Sequence, residues 1–363
     1  MINHQLSPSE LKYSSVSIRQ SNMELMRLVL MFMIIIHHMI VHGLGLSALS
    51  PEFGGSVVIK APHMFSFMFV NSLCIIGVNC FILVSGWFSI KIKPEKLFKL
   101  IFECLFYTFL FVTLPYLFKN DYIHALTSML IISHCKYWFF VDYIFLICFA
   151  PAMNLVFRYC SYRQLGIFIL AALVIGLYFG WIWNHNINKN GYTFYQFLMM
   201  YCVGRYLRLS FDRGYFVKFK LSQFTIAYVL LALITAAVMY IFWSRNYYLM
   251  TFYNQPLIIV SSVMFILAFS RINLRSNLIN KFAQSALSIY FVSSSNLFGG
   301  WANRTIASLY SESLLHCIGG ILTIALGLII LAITINQLQM FLSNHVWSYI
   351  KTWKGLTVDS QSS

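Results

Sequence analysis

Ten stretches of mostly apolar sequence, most of about twenty residues or more, recur along the chain, at 23–43, 63–89, 96–118, 137–157, 163–182, 192–209, 221–243, 251–270, 281–302 and 314–343. About twenty such residues make a helix that crosses a bilayer's hydrocarbon layer with its backbone polar groups bonded internally. The expected fold is therefore all-α: a polytopic integral membrane bundle of about ten transmembrane helices. Only 10% of the residues are charged, against about 25% in soluble domains, so no soluble domain is left over. The apolar piece from Tyr122 to Ser133 is too short to cross and is expected in the interface or as a re-entrant segment.

The formal net charge of +15 would suit a nucleic-acid binder, but the placement of the basic residues gives another account. With the amino terminus in the cytoplasm and ten spans, both termini are cytoplasmic. Nineteen of the 25 basic residues then lie on that side, and Lys60, Lys119, Lys136, Lys189, Arg245 and Arg304 on the other. This is the positive-inside bias of a membrane protein, and no nucleic acid is expected as a partner. The reading divides the chain into a cytoplasmic segment 1–22, a transmembrane domain 23–343 and a cytoplasmic tail 344–363. No small-residue cleavage signal follows the first span, which reads as a retained anchor. The eight cysteines lie mostly inside spans without CxxC spacing and read as packing residues.

The first span, LMRLVLMFMIIIHHMIVHG from Leu25 to Gly43, carries ionisable groups where lipid penalises them. Arg27 and His38 are eleven positions apart, which on a helix places them within about 20° of one face and about 16 Å apart along the axis. His42 follows one turn later, Glu24 is placed to pair with Arg27, and His37 is expected to point elsewhere. One face thus runs from a cation at the cytosolic edge to an imidazole well inside, the layout of a channel entered from the cytosol. Arg27 taken alone suits a topology anchor equally well, and His42 reads as structural. Of the other buried polar groups, Asp142 lies at a depth an external molecule can reach, whereas Glu103 is expected to pair with Lys96 or Lys99 on its own helix. Asn79, Ser85 and Asn296 read as interhelical packing groups. Trp138, Trp181, Trp183, Tyr192, Trp243, Tyr247 and Tyr248 read as interfacial belts. His37, His38 and His42 lack an acidic or cysteine partner, and no metal is expected.

An acidic residue, an arginine three later and a histidine eleven beyond, here Glu24, Arg27 and His38, resemble the opening motif of the membrane acyltransferase 3 family. GVNCFILVSGWF (Gly77–Phe88) is similar to that family's Ser-Gly-aromatic pattern, with the basic run Lys91–Lys99 behind it. KYWFFVDYIFLICFAPAMN resembles its Trp-Phe segment closing in Pro-x-x-Asn, with Pro151 and Asn154, and FLMMYCVGRYLR also fits. One departure is plain: SIYFVSSSN has Ser293 where many members carry a second histidine.

The resemblance implies a membrane O-acyltransferase, most simply an O-acetyltransferase, at a bacterial inner membrane. It would take the acyl group from cytosolic acetyl-CoA and place it on a hydroxyl of a surface or lipid-linked glycan. Arg27 with the cluster Lys91, Lys93, Lys96 and Lys99 would hold the phosphates of the donor. His38 would act as general base, or would accept the acyl group itself and pass it on. Asp142 would orient the imidazole or bind the sugar. The partners implied are acyl-CoA, a glycan acceptor and membrane lipid. A transporter or flippase of a small acylated or glycosylated molecule is the alternative, although no paired, Gly/Pro-interrupted spans in matching halves support it. A glycan polymerase would want a larger extracytoplasmic loop than any here.

Overall fold

The structure is a computed structural model describing residues 20–46, 58–131, 137–242 and 252–359, with side chains to Trp353. Expectations for Lys12, Arg19, Cys135, Lys136, Trp243, Arg245, Tyr247, Tyr248 and Lys354 fall outside these residues or side chains. Among the described residues every regular element is helical. Seven helical stretches of the described residues are long and apolar enough to cross a membrane: Ser21–Gly43, Ala61–Phe88, Pro94–Phe118, Trp138–Tyr159, Tyr162–Ile182, Leu221–Ile241 and Leu314–Trp353.

Helix α1 (Ser21–His38) runs on through a π-helical turn, Met39–Gly43, directly after the histidine pair. Such turns interrupt a helix and recur at functional sites. The second stretch is two helices, α2 (Ala61–Cys74) and α3 (Gly77–Phe88), joined end to end. α4 (Pro94–Thr108) continues through another π-helical turn into α5 (Leu114–Phe118), and α6 (Tyr122–Ser128) is the short apolar piece seen in the sequence. Next come α7 (Trp138–Tyr159), α8 (Tyr162–Ile175), α9 (Phe194–Asp212), α10 (Leu221–Ile241) and α11 (Pro256–Ser270). α9 carries Arg205, Arg208 and Asp212, which take it outside the apolar set, although much of it is buried.

The expected span 281–302 is not one helix. The chain makes α12 (Asn277–Phe282), a 3₁₀ turn, α13 (Ala286–Ser293), a break at residues 294–297, and then α14 (Phe298–Glu312). Three serines, an asparagine and a Gly-Gly pair sit at this break. Ser295 restarts the helix: its hydroxyl accepts from the Phe298 N–H and its carbonyl from the Gly299 and Gly300 N–H groups. The last helix, α15 (Leu314–Asp359), is longer than the expected span 314–343.

α1 lies centrally, packed on α2, α3, α11, α13 and α15. The most extensive helix pair is α3 with α9, and it is closed by two glycines. A Cβ on Gly86 would run into the Tyr201 carbonyl, and one on Gly204 into the Leu83 carbonyl. Small residues that let backbones meet are what packing in lipid rewards, since lipid leaves little hydrophobic drive between helices. The Ser-Gly-aromatic motif therefore has a packing explanation in Gly86.

Candidate functional site

A cavity of about 1520 Å³ runs beside α1. Gln20, Glu24, Arg27, Met31, Ile34, His38 and His42 line it at three- and four-residue spacing, one stripe of the helix. At 1.5 Å per residue, the stripe from Gln20 to His42 covers about 33 Å, close to the thickness of a hydrocarbon layer. Arg27 and His38 thus share one cavity.

At the Gln20 end the cavity is lined by Arg27, Lys91, Lys93, Lys96, Arg205 and Arg208, with Glu24 as the acid among them. Arg27 Nη1 bonds Glu24 Oε2 at 3.1 Å, the pairing expected from the spacing. Lys99 is turned away to Glu95, with Nζ to Oε1 at 2.7 Å, and is not a lining residue. Arg208 lies over the Trp87 ring and bonds Asp212, while the buried Nε of Arg205 has no protein partner among the described residues. Sequence reading did not assign Arg205 and Arg208 to the site. Their i, i+3 spacing in FLMMYCVGRYLR was the available signal.

The loop carrying Lys91 and Lys93 is pinned by two other motif residues. Tyr201 Oη accepts from the Ile90 N–H (3.0 Å) and donates to Asn154 Oδ1 (2.8 Å), and Asn154 Nδ2 donates to the Ile90 carbonyl (2.8 Å). Tyr201 and Asn154 together thus fix both backbone groups of Ile90. Removing the hydroxyl in Tyr201→Phe takes away two hydrogen bonds worth about 0.5–1.5 kcal/mol each. The expected result is a fold less stable by about 1–3 kcal/mol, read as a lower thermal midpoint in detergent.

Toward the other end of the stripe are the imidazoles, His37 and His38 closing α1 and His42 in the π-helical turn. His37, expected to point elsewhere, also lines the cavity. Its Nδ1 is 2.7 Å from Asn71 Oδ1, an oxygen that accepts, so the ring donates there. Asn71 is fully buried on α2 and its Nδ2 has no partner among the described residues. The His37, His38 and His42 rings follow one another at 5.7 Å between centroids. His38 has no hydrogen bond to a described side chain, leaving it available to a molecule in the cavity.

Ser293, at the position of the missing second histidine, lines the same cavity with Ser294, Ser295 and Asn296. The broken helix therefore puts irregular backbone against the cavity, one of the settings in which a membrane tolerates it. Asp142 is not brought there. On α7 the cavity is faced by Trp138, Phe139, Tyr143 and Ile147, and Asp142, one position before Tyr143, is turned about 100° from that residue. Glu103 does not pair with a lysine as expected: its Oε1 is 2.6 Å from Ser288 Oγ, which also meets Asn336 Oδ1 at 2.9 Å, within a buried junction of α4, α13 and α15. Among the described residues no cluster of three or more His, Cys, Asp or Glu side chains is fit to hold a metal.

Chemically, the cavity joins a polycationic mouth suited to phosphates, a central set of bases suited to proton transfer, and a distal part lined by aromatic and amide side chains. No curated protein and no solved structure matches the chain. The model of the acyltransferase 3 family, described as an acyltransferase domain, matches residues 20–335, which include every cavity residue named above. The chain is a multi-pass membrane protein by its apolar helices, and it belongs to the acyltransferase 3 family.

Proposed function

We propose that this protein moves an acetyl group from cytosolic acetyl-CoA to a hydroxyl of a surface or lipid-linked glycan, at a bacterial inner membrane crossed ten times with both termini inside. The carrying observation is the single cavity that links the Arg27 cations to His38 along the length of α1. At about 1520 Å³ it exceeds the roughly 300–1,000 Å³ of ordinary single-ligand pockets, which supports two substrates meeting in it. The ten-span arrangement counts α9, α11 and the broken α12–α14 segment with the seven long stretches. It puts Arg27, Lys91, Lys93, Lys96, Arg205 and Arg208 on one side and the distal aromatics on the other.

In this reading the phosphates of the donor sit among Arg27, Lys91, Lys93, Lys96, Arg205 and Arg208. The pantetheine arm extends along α1 and brings the thioester to His38. Neutral His38 takes the proton of the acceptor hydroxyl as its oxygen attacks the thioester carbonyl; the C–S bond breaks, and the proton ends on the departing thiolate. The His37–Asn71 pair beside it keeps a second imidazole in a fixed tautomer. Direct transfer is the simpler route because the cavity is continuous past His38, so no acyl-histidine relay is needed.

The test is transfer of label from [¹⁴C]acetyl-CoA to glycan in membranes. For Arg27→Ala, loss of a charge-assisted phosphate contact of about 1.5–3 kcal/mol predicts a donor requirement raised about ten- to a hundredfold. Normal transfer in both Arg27→Ala and His38→Ala would refute the assignment. Uptake or export without any label transfer would favour a transporter instead.

A further inference from the structure

Beyond the histidines, three aromatic residues from separate helices and loops meet at the cavity wall. Trp138 lies 4.6 Å from Tyr192 and 5.9 Å from Tyr253 between ring centroids, and Tyr192 lies 4.9 Å from Tyr253. Trp138 and Tyr253 are nearly parallel, at 25°. All three line the cavity. Trp138 and Tyr192, expected in interfacial belts at separate span ends, are thus gathered with Tyr253 into one group.

This group is mounted on a rigid amide scaffold. The Tyr253 carbonyl accepts from Asn79 Nδ2 (2.8 Å) and Gln196 Nε2 (3.2 Å), and Gln196 Nε2 also bonds Asn79 Oδ1 (3.1 Å). Asn188 Nδ2 donates to Gln196 Oε1 (3.0 Å), and Asn254 Nδ2 donates to the Asn188 carbonyl (2.7 Å). Asn79, Asn188, Gln196 and Asn254 are at most 1% exposed. Gly191 is left-handed at φ +74°, and a Cβ there would come 2.6 Å from the Asn254 nitrogen and 2.9 Å from Tyr253 Cβ. So many buried amides bonded to one another set the positions of the rings before any ligand arrives. A merely greasy lining would not need them.

The location is specific too. Asn79 stands at the start of α3, while the loop with Lys91 and Lys93 follows the end of that helix, about 18 Å away at helical rise. The aromatic group is therefore at the far end from the cations. Asn303 and Asn296 line the same cavity, and Asn303 is next to the end of α1, where a Cβ on Gly43 would lie 3.0 Å from its carbonyl oxygen. Neither amide side chain bonds a described residue. An aromatic floor with open amides beside it is complementary to a pyranose ring, which offers an apolar C–H face and a rim of hydroxyls. A diffuse lipid chain would leave the amides unpaired, and among the described residues no Lys or Arg lines the cavity at this end.

We infer that Trp138, Tyr192 and Tyr253 form a pyranose-binding subsite, with Asn296 and Asn303 reading its hydroxyls, that holds a sugar ring beyond His38. The inference rests on the transferase reading for its purpose, but binding at the subsite is measurable without transfer.

The full chain in lipid nanodiscs, without acyl donor, is examined by saturation-transfer NMR with methyl β-D-glucopyranoside, methyl β-D-galactopyranoside and methyl 2-acetamido-2-deoxy-β-D-glucopyranoside. Sorbitol is the acyclic control. At least one pyranoside is expected to show saturated ring C–H signals, and sorbitol none. Trp138→Ala and Tyr192→Ala are expected to weaken that binding at least tenfold, Trp138→Phe less than threefold, with acetyl-CoA binding unchanged within twofold in all three. The subsite is overturned if no pyranoside is saturated, if sorbitol is saturated equally, or if the alanine variants bind as the parent does. Absence of label transfer in the parent, with Trp138-dependent pyranoside binding intact, sinks the transferase reading and leaves the sugar site. Normal transfer without any pyranoside binding sinks the sugar site alone.

Discussion

Replacing His38 by alanine is expected to lower acyl transfer by about 10²- to 10⁴-fold, the usual contribution of a positioned general base. His38 is half-buried, lines the cavity, and has no hydrogen bond to a described side chain, so its removal takes away a base and leaves no partner stranded. The protein should therefore still insert and run as a single species on size-exclusion chromatography. Donor affinity, proposed to reside about 16 Å away at Arg27, should stay within a few-fold. The readout is initial rate of label transfer at saturating acetyl-CoA, with donor binding measured separately. Rates within threefold of the parent would remove His38 from the chemistry. An acyl group trapped on the parent that is labile to both acid and hydroxylamine, as an N-acylimidazole is, and absent in His38→Ala would replace direct transfer by the covalent route.

The second large effect concerns the fold. Gly204→Val and Gly86→Val each place a side chain into the backbone of the facing helix, at the Leu83 and Tyr201 carbonyls respectively. Overpacking a core usually costs about 1–3 kcal/mol because neighbouring side chains give way. Here the obstruction is main chain in both directions, so α3 and α9 must separate. The expected result is loss of most folded protein, seen as aggregation in detergent by fluorescence-detected size exclusion, with alanine at either glycine already lowering the thermal midpoint. Gly319→Ala on α15 is the matched control, since a Cβ there meets nothing within 4 Å. Wild-type stability of Gly204→Val would show that the close crossing is not needed.

The two effects fall on different kinds of sequence information. The stripe Glu24, Arg27, His38 and His42 was legible because helical periodicity alone decides which residues of one helix share a face. Lys91, Lys93 and Lys96 were legible because they are neighbours in sequence next to that stripe. His37 was misplaced: a helical wheel turns it about 100° from His38. The cavity nevertheless wraps far enough around α1 to include it, and Asn71 from α2 holds it. Asp142 was chosen by depth, and depth does not say which way a helix is rotated. Glu103 was paired with lysines by spacing on its own helix, whereas Ser288 and Asn336 from distant segments take that role.

By itself, the sequence determined that this chain is helical, that it resides in a membrane, and that its first helix carries a cation and a base on one face. These follow from local quantities: hydrophobic run length, charge placement and the pitch of a helix. Only the tertiary structure decided that Trp138, Tyr192 and Tyr253 form one cradle, that Arg205 and Arg208 join the cationic mouth, and that residues 294–297 break a span to line the cavity. The reason is physical. Helix rotation and pairing in lipid are set by close packing and by buried amide bonds between segments distant in sequence, and those are properties of pairs of surfaces, not of any one stretch of chain.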